Sequence, residues 1–206
     1  MGEPDARVAL ASAADAFLQL VDTLDASDLE RPATDALQVR ELAAHTARAF
    51  LATEAVLDAP LDPTTPFLAS AADYSRAAVA VDAVHAGIER RARDAAADMG
   101  DDPATFARAA AARVLPRVAA TPGDREVQHF AGRLRFDAYL DTRVVELVLH
   151  SVDLALALDR APDVPDDAAS VTARVVLGLA DRADPLALAC ALAGRRWPPG
   201  GVDVLR

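Results

Sequence analysis

Apolar positions along this chain recur mostly with a helical period. Over Asp5 to Leu24, residues Val8, Ala11, Leu18, Val21 and Leu24 form an approximate helical stripe. A polar connection from Asp25 to about Asp35 holds Pro32, and a second helix is predicted from Gln38 to Leu57. Pro60, Pro63 and Pro66 exclude regular helix in the next connection. A third helix is predicted from Ser70 to Met99, ended by Gly100. Asp102-Pro103 reads as an N-cap with proline at the first helical position, opening a short alanine-rich helix to about Val118.

Thr121-Pro122-Gly123-Asp124 reads as a turn, and Arg125 to Arg135 as either extended chain or loop. The fourth long helix is predicted from Phe136 to Leu158, followed by a break at Ala161 to Pro165. Two further helices are predicted, Asp166 to Arg182 and Pro185 to Ala193, before an irregular tail around Trp197. The expectation is an all-α chain: a four-helix bundle over residues 1–160 with a C-terminal helical extension over 161–206 packed on it.

Composition narrows the function classes. The single cysteine, Cys190, excludes a disulfide framework and a cysteine-based metal cluster; in the run Leu186 to Leu192 it reads as a buried small hydrophobe. Every basic residue is arginine, and 32 acidic against 21 basic residues leave a net charge of −11. Such a balance argues against nucleic acid as partner, because phosphate binding rests on clustered basic residues. No apolar run reaches the roughly 20 residues of a membrane span. Met1 to Arg7 lacks the basic start and apolar run of a signal peptide, so a cytoplasmic location is expected.

The fourth long helix carries the most informative pattern. At about 100° per residue, Tyr139, Arg143, Glu146, His150 and Asp153 share an arc of roughly 80°. Asp137, Asp141 and Asp159 cluster nearly opposite and read as the solvent face. Aliphatic residues border the polar arc, Leu140, Leu147 and Leu154 on one side and Leu149 and Leu156 on the other. Charges turned inward are costly unless paired or bound to metal. Glu146 and His150, four residues apart, can grip one divalent ion or form a plain surface pair. Asp153, one turn further, can accept a hydrogen bond from the second imidazole nitrogen.

Any further ligand must come from elsewhere. His45 on the second helix borders the apolar arc of Val39, Leu42, Ala49 and Val56 and so leans toward the core. It reads as a hydrogen-bonded core histidine unless Glu146 and His150 partner it. His85 reads as a surface residue, and His129, in the loop before the fourth helix, as solvated or pocket-lining. Glu89 to Arg93 reads as a solvated helix surface. Arg195-Arg196-Trp197 reads either as a clasp over an anionic ligand or as a capping tail. No nucleophile-elbow, P-loop or dinucleotide-binding glycine motif is present.

Two segments together resemble a known family. Val39-Arg40-Glu41-Leu42-Ala43-Ala44-His45 is similar to a V-R-[DE]-L-x-x-H signature, and Arg143 to Asp153 to its partner, R-x-x-E-x-x-x-H-x-x-D. In order, about 100 residues apart, they resemble the mycothiol-dependent maleylpyruvate isomerase family of the DinB-like superfamily. Leu192-Ala193-Gly194-Arg195 is similar to the family's L-x-G-R. The resemblance implies a DinB-like four-helix bundle holding a divalent metal, usually zinc, on His45, Glu146 and His150. It also implies mycothiol as the thiol cofactor, with the metal binding its sulfur and lowering its pKa. In the isomerase, thiol addition to a cis double bond permits rotation and elimination returns the trans product; relatives join thiols to electrophiles.

The chain departs from the family where Leu37 and Gln38 replace a tryptophan, which bears on the pocket wall and not on the ligands. It also ends before a sterol-carrier-like domain found in the isomerase, which counts against maleylpyruvate itself as substrate.

Three functional classes therefore stand at this point. One is a zinc-dependent transferase or isomerase, monomer or homodimer, acting on a small-molecule thiol and an electrophilic substrate. In it Arg143 contacts the bound thiol, and Arg143 and Asp153 support the ligands. The second is a protein that binds the same metal and thiol, or another small molecule, without turnover. The third is a structural or partner-binding helical protein with a buried polar network. The roles of His129, Arg195 and Trp197 are open.

Overall fold

The computed structural model describes residues 5–80, 82–100, 102–180 and 185–192. Its elements are helices α1 (Ala6–Val21), α2 (Ala26–Leu29), α3 (Val39–Asp58), α4 (Ala71–Val79), α5 (Asp82–Met99) and α6 (Pro103–Ala120), then strands β1 (Glu126–His129) and β2 (Gly132–Arg135). Helices α7 (Phe136–Ala157), α8 (Asp166–Leu177) and α9 (Pro185–Leu192) follow. Among the described residues the chain is all-α apart from one small hairpin, as expected.

Local chemistry sets most boundaries. Asp5 caps α1, accepting from the Arg7 amide at 2.8 Å. Asp25 accepts from the amides of Ser27 and Asp28 and starts α2 inside what the sequence reads as plain connection. Asp102 accepts from the Thr105 amide at 2.9 Å and Pro103 follows it, as the sequence predicts for α6. Within the family-like segment of α3, Glu41 accepts from the Gln38 amide at 2.9 Å, and Arg40 donates to the Gly100 carbonyl at 3.0 Å. Those two signature residues thus hold the helix in place. Leu37, at the family's tryptophan position, is buried in the core.

Four helices close a ring: α1 packs on α7, α7 on α3, α3 on α6 and α6 on α1. Phe17 of α1 and Phe50 of α3 meet inside it with ring centroids 6.3 Å apart. Buried alanines, among them Ala9, Ala13, Ala43, Ala47, Ala107 and Ala111, bring the helices close together. The ring differs from the sequence reading in one member. The predicted third helix, Ser70 to Met99, is two helices, α4 and α5, and these pack outside the ring. The alanine-rich α6 takes the fourth place, because its small buried side chains fit between α1 and α3 whereas α5 carries the charged run Glu89 to Arg93. Helix α8 covers the outer side of α1 and α7 and ends at Leu177, earlier than the predicted Arg182.

The chain from Arg125 to Arg135 is extended. β1 and β2 pair antiparallel, with Glu126 opposite Arg135 and His129 opposite Gly132. β2 also takes up the preceding connection: Leu68 donates to the Arg133 carbonyl at 2.7 Å and Arg133 to the Pro66 carbonyl at 2.8 Å. A Cβ on Gly132 would lie 2.6 Å from a Leu68 methyl, so this close approach requires glycine. Arg125 donates to the Leu57 carbonyl at 3.1 Å, and its own carbonyl accepts from Phe136 at 2.8 Å. The end of α3 therefore meets the start of α7, and the two helices run antiparallel.

Candidate metal centre

On α7 the predicted polar arc exists, but its surroundings are uneven. Tyr139 is fully buried, whereas Arg143, Glu146, His150 and Asp153 are partly accessible. The opposite side is only partly the solvent face that the three aspartates suggest: the side chains of Asp137 and Asp159 are 44% and 85% exposed, but that of Asp141 is not. Asp141 is covered by α8 and pairs with Arg174 at 2.8 Å, leaving its side chain 15% exposed. Asp137 lies 3.4 Å from Arg7, and Asp159 lies beyond the helix, where it pairs with Arg31. Extra helices on the outside of the ring hide part of a face that a solitary bundle would leave wet.

His45 arrives from α3 at the level of Glu146 and His150. Its Nε2 lies 3.8 Å from Glu146 Oε2, and His150 Nε2 lies 3.3 Å from that same oxygen. The two imidazoles stand edge-on, centroids 5.1 Å apart. One ligand atom from each of the three residues can be chosen so that all lie within 4.8 Å of one another. Bonds of about 2.0–2.2 Å to a tetrahedral ion put neighbouring ligand atoms roughly 3.3–3.5 Å apart. The donor set of two imidazole nitrogens and one carboxylate oxygen fits a divalent ion with small side-chain adjustments. Glu146 keeps 40% of its side chain exposed, so the triad is reachable from solvent.

Electrostatics support this arrangement. Burial alone would raise the Glu146 pKa, but the hydrogen bond to His150 and the charges of Arg143, His150 and His45 hold it well below the usual carboxylate range. Burial, then the neighbouring His150 charge, pushes His45 down to about 4. Burial acts on His150 in the same sense, but its hydrogen bonds to Asp153 and Glu146 outweigh it and bring the imidazole up to about 9. Asp153 Oδ2 stands 3.4 Å from His150 Nδ1, where the sequence spacing places it. A proton on Nδ1 aimed at that carboxylate leaves the Nε2 lone pair facing the triad. The Nδ1 of His45 is buried without a hydrogen-bond partner.

An aromatic wall stands next to the triad. The Arg143 guanidinium sits 5.2 Å from the Tyr139 ring centroid. His129, at the end of β1, shares a hydrogen bond with the Tyr74 hydroxyl and packs on Tyr139 at 5.7 Å. Phe130, at the hairpin turn, is 55% exposed and lies 4.7 Å from His129. His129 is thus partly buried and packed among rings, not freely solvated: burial, then the charge of Arg143, lowers it to about 4. Burial likewise raises Tyr74. Nothing in the sequence pattern around Tyr74 or Phe130 signals these positions, since the hairpin and α4 bring them there from distant segments. Arg195 and Trp197 lie outside the described residues, as do the side chains of His85 and Cys190.

The model of one protein family, the mycothiol maleylpyruvate isomerase N-terminal domain, matches residues 10–155, a span holding both signature segments and all three converging side chains. The chain belongs to this family. Comparisons with curated proteins and with solved structures returned no match. Membership places the chain among helical DinB-like domains associated with mycothiol and a metal. Among the described residues, no helix is long and apolar enough to cross a membrane.

Proposed function

We propose that this protein is a divalent-metal-dependent enzyme that uses mycothiol either to form an adduct with a small electrophile or to isomerise one. The carrying observation is the convergence of His45, Glu146 and His150 within a chain of this family. In this reading residues 1–160 form the metal-binding unit and 161–206 an extension that supports it. A cytoplasmic setting fits, because low-molecular-weight thiols are kept reduced there.

The two imidazoles and one carboxylate would hold the ion, zinc by preference, and leave a coordination position open. A bound zinc supplies Lewis acidity that lowers the pKa of a coordinated thiol. The chain's own residues do the rest. Glu146 stays deprotonated and ready to ligate, held so by His150, Arg143 and His45. Asp153 fixes the orientation of His150 through Nδ1. Arg143, over the Tyr139 ring, holds a fixed positive charge beside the triad. Tyr74, His129 and Phe130 pack on one another beside Tyr139 and would form an apolar wall for a bound reactant.

Elemental analysis of protein purified without chelator should find about one metal per chain, falling to background in Glu146→Ala. Incubation of the loaded protein with mycothiol and a panel of unsaturated acids and epoxides should then yield a thiol adduct or an isomerised product by mass spectrometry. Tight thiol binding without product would instead establish a binding protein, and absence of metal would leave the three side chains as a structural polar network.

A further inference from the structure

Away from the triad, a hollow of about 200 Å³ lies between α1, α7 and the chain that follows α7. Ser151 and Ala155 line it from α7, and at about 100° per residue they stand roughly 100–140° around that helix from His150. Ala16, Gln19 and Leu20 line it from α1, and Asp163 from the chain beyond α7. Ala16, Ser151 and Ala155 are small, and so leave the gap unfilled. Arg7, at the start of α1, lies 3.4 Å from Asp137, at the start of α7. Thr23, just past the end of α1, accepts a hydrogen bond from Arg160, just past the end of α7. The two helices therefore run parallel, and the hollow sits where their C-terminal ends converge.

Three polar groups lining the hollow have hydrogen-bonding capacity to spare. Ser151 is only 8% exposed, and its buried hydroxyl has no hydrogen-bond partner, which is costly unless a bound molecule supplies one. Gln19 and Asp163, both exposed, make no hydrogen bond or ion pair among the described residues. The cation among the lining residues is already engaged: Arg160 donates to Thr23 and, at 3.3 Å, to Asp28. Two converging helix C-termini add partial negative charge to that of Asp163. A net charge of −11 on the whole chain adds to the attraction for cations. The volume is below the roughly 300–1,000 Å³ of sites for drug-sized ligands, so the occupant is small.

We infer that the hollow between α1 and α7 binds a small primary aliphatic amine in its ammonium form. An ammonium group has three donors and no acceptor, and Asp163, Gln19 and Ser151 offer oxygens that can accept them. A short alkyl chain then lies along Ala16, Leu20 and Ala155. A carboxylate would instead face Asp163 and two helix C-termini, with Arg160 already paired. A neutral alcohol would leave the charge of Asp163 unmatched. This site shares no residue with the triad and does not rest on the function proposed for it.

The test follows NMR shifts of the full chain titrated at neutral pH with butylamine, and with butan-1-ol and butanoate as controls of similar size. Butylammonium should give saturable shifts confined to residues 16–23, 151–155 and 160–163. The alcohol should bind at least tenfold more weakly, and butanoate should give no shift there. Asp163→Asn should weaken the amine at least tenfold and Ser151→Ala at least threefold. Ala16→Leu fills the hollow and should abolish binding, with its unfolding midpoint unchanged or raised. Glu146→Ala should bind the amine as wild type does. Loss of binding in Glu146→Ala would place the amine at the triad and overturn the site. Equal, unsaturable shifts for all three compounds would mean that the hollow holds water only, and would overturn it too. So would unchanged amine binding in Asp163→Asn or in Ala16→Leu.

Discussion

Three histidines of the site titrate in different directions, which makes the residue scale directly measurable. His129 is pushed down to about 4, first by burial and then by Arg143, against 6.5 for an ordinary imidazole. Between those values the unfolded chain binds a proton that the folded chain refuses. The stability tied to neutral His129 is therefore complete above about pH 6.5 and is lost as pH falls through about 4. His150 behaves oppositely: raised to about 9, it contributes fully below 6.5 and its contribution is lost as pH rises through 9. His129→Gln should flatten the acid flank of the metal-free protein's urea-unfolding stability by on the order of 1–3 kcal/mol. It should leave the alkaline flank in place. Parallel acid flanks for wild type and variant would show that His129 is not the group responsible. His45, His150, Glu146 and Asp153 were legible because one helical repeat or one signature held them. Tyr74 and Phe130 were not, because only tertiary packing brings them to the site.

At the scale of elements, α7 shows where a helical wheel reads correctly and where it does not. Its inward polar arc was legible because burial of charge leaves a periodic mark. The opposite arc of Asp137, Asp141 and Asp159 carried the same acidic composition at three sites with different fates. Asp141 is 15% exposed against α8, whereas the Asp159 side chain is 85% exposed. Asp141→Ala leaves Arg174 without this carboxylate in a half-covered interface and should cost about 1–3 kcal/mol by chemical denaturation. Asp159→Ala loses only an exposed pair but places alanine at a left-handed φ of 56°, and should cost about 1 kcal/mol or less. Equal effects would mean that α8 does not seat on α7 as described. The hairpin escaped the sequence reading for a related reason. Its two-residue turn, Phe130-Ala131, lacks the Asn-Gly signal, and neither residue has positive φ. Likewise, the charged helix pattern runs on from Ser70 to Met99, so the division into α4 and α5 leaves no proline or glycine signal at the break.

At the scale of the whole molecule, the triad joins two neighbouring members of the helical ring. His45 belongs to α3, and Glu146 and His150 belong to α7, about a hundred residues later. An ion held by all three links segments that the unfolded chain keeps far apart, so metal binding is coupled to the folded bundle and not to a local peptide. Zinc at about a hundredfold over its dissociation constant adds about 2.7 kcal/mol by mass action, which for a domain of this size raises the melting temperature by roughly 5–10 °C. Chelator should reverse the rise. His45→Ala removes the only ligand from α3, leaving an i, i+4 pair on a single helix that no longer ties the ring together. Its melting temperature should therefore respond to zinc much less than that of wild type, while Asp159→Ala, remote from the triad, keeps the full response. A zinc shift of the same size in His45→Ala would mean that the metal binds α7 alone, and the link between α3 and α7 would have to come from the polar network without an ion.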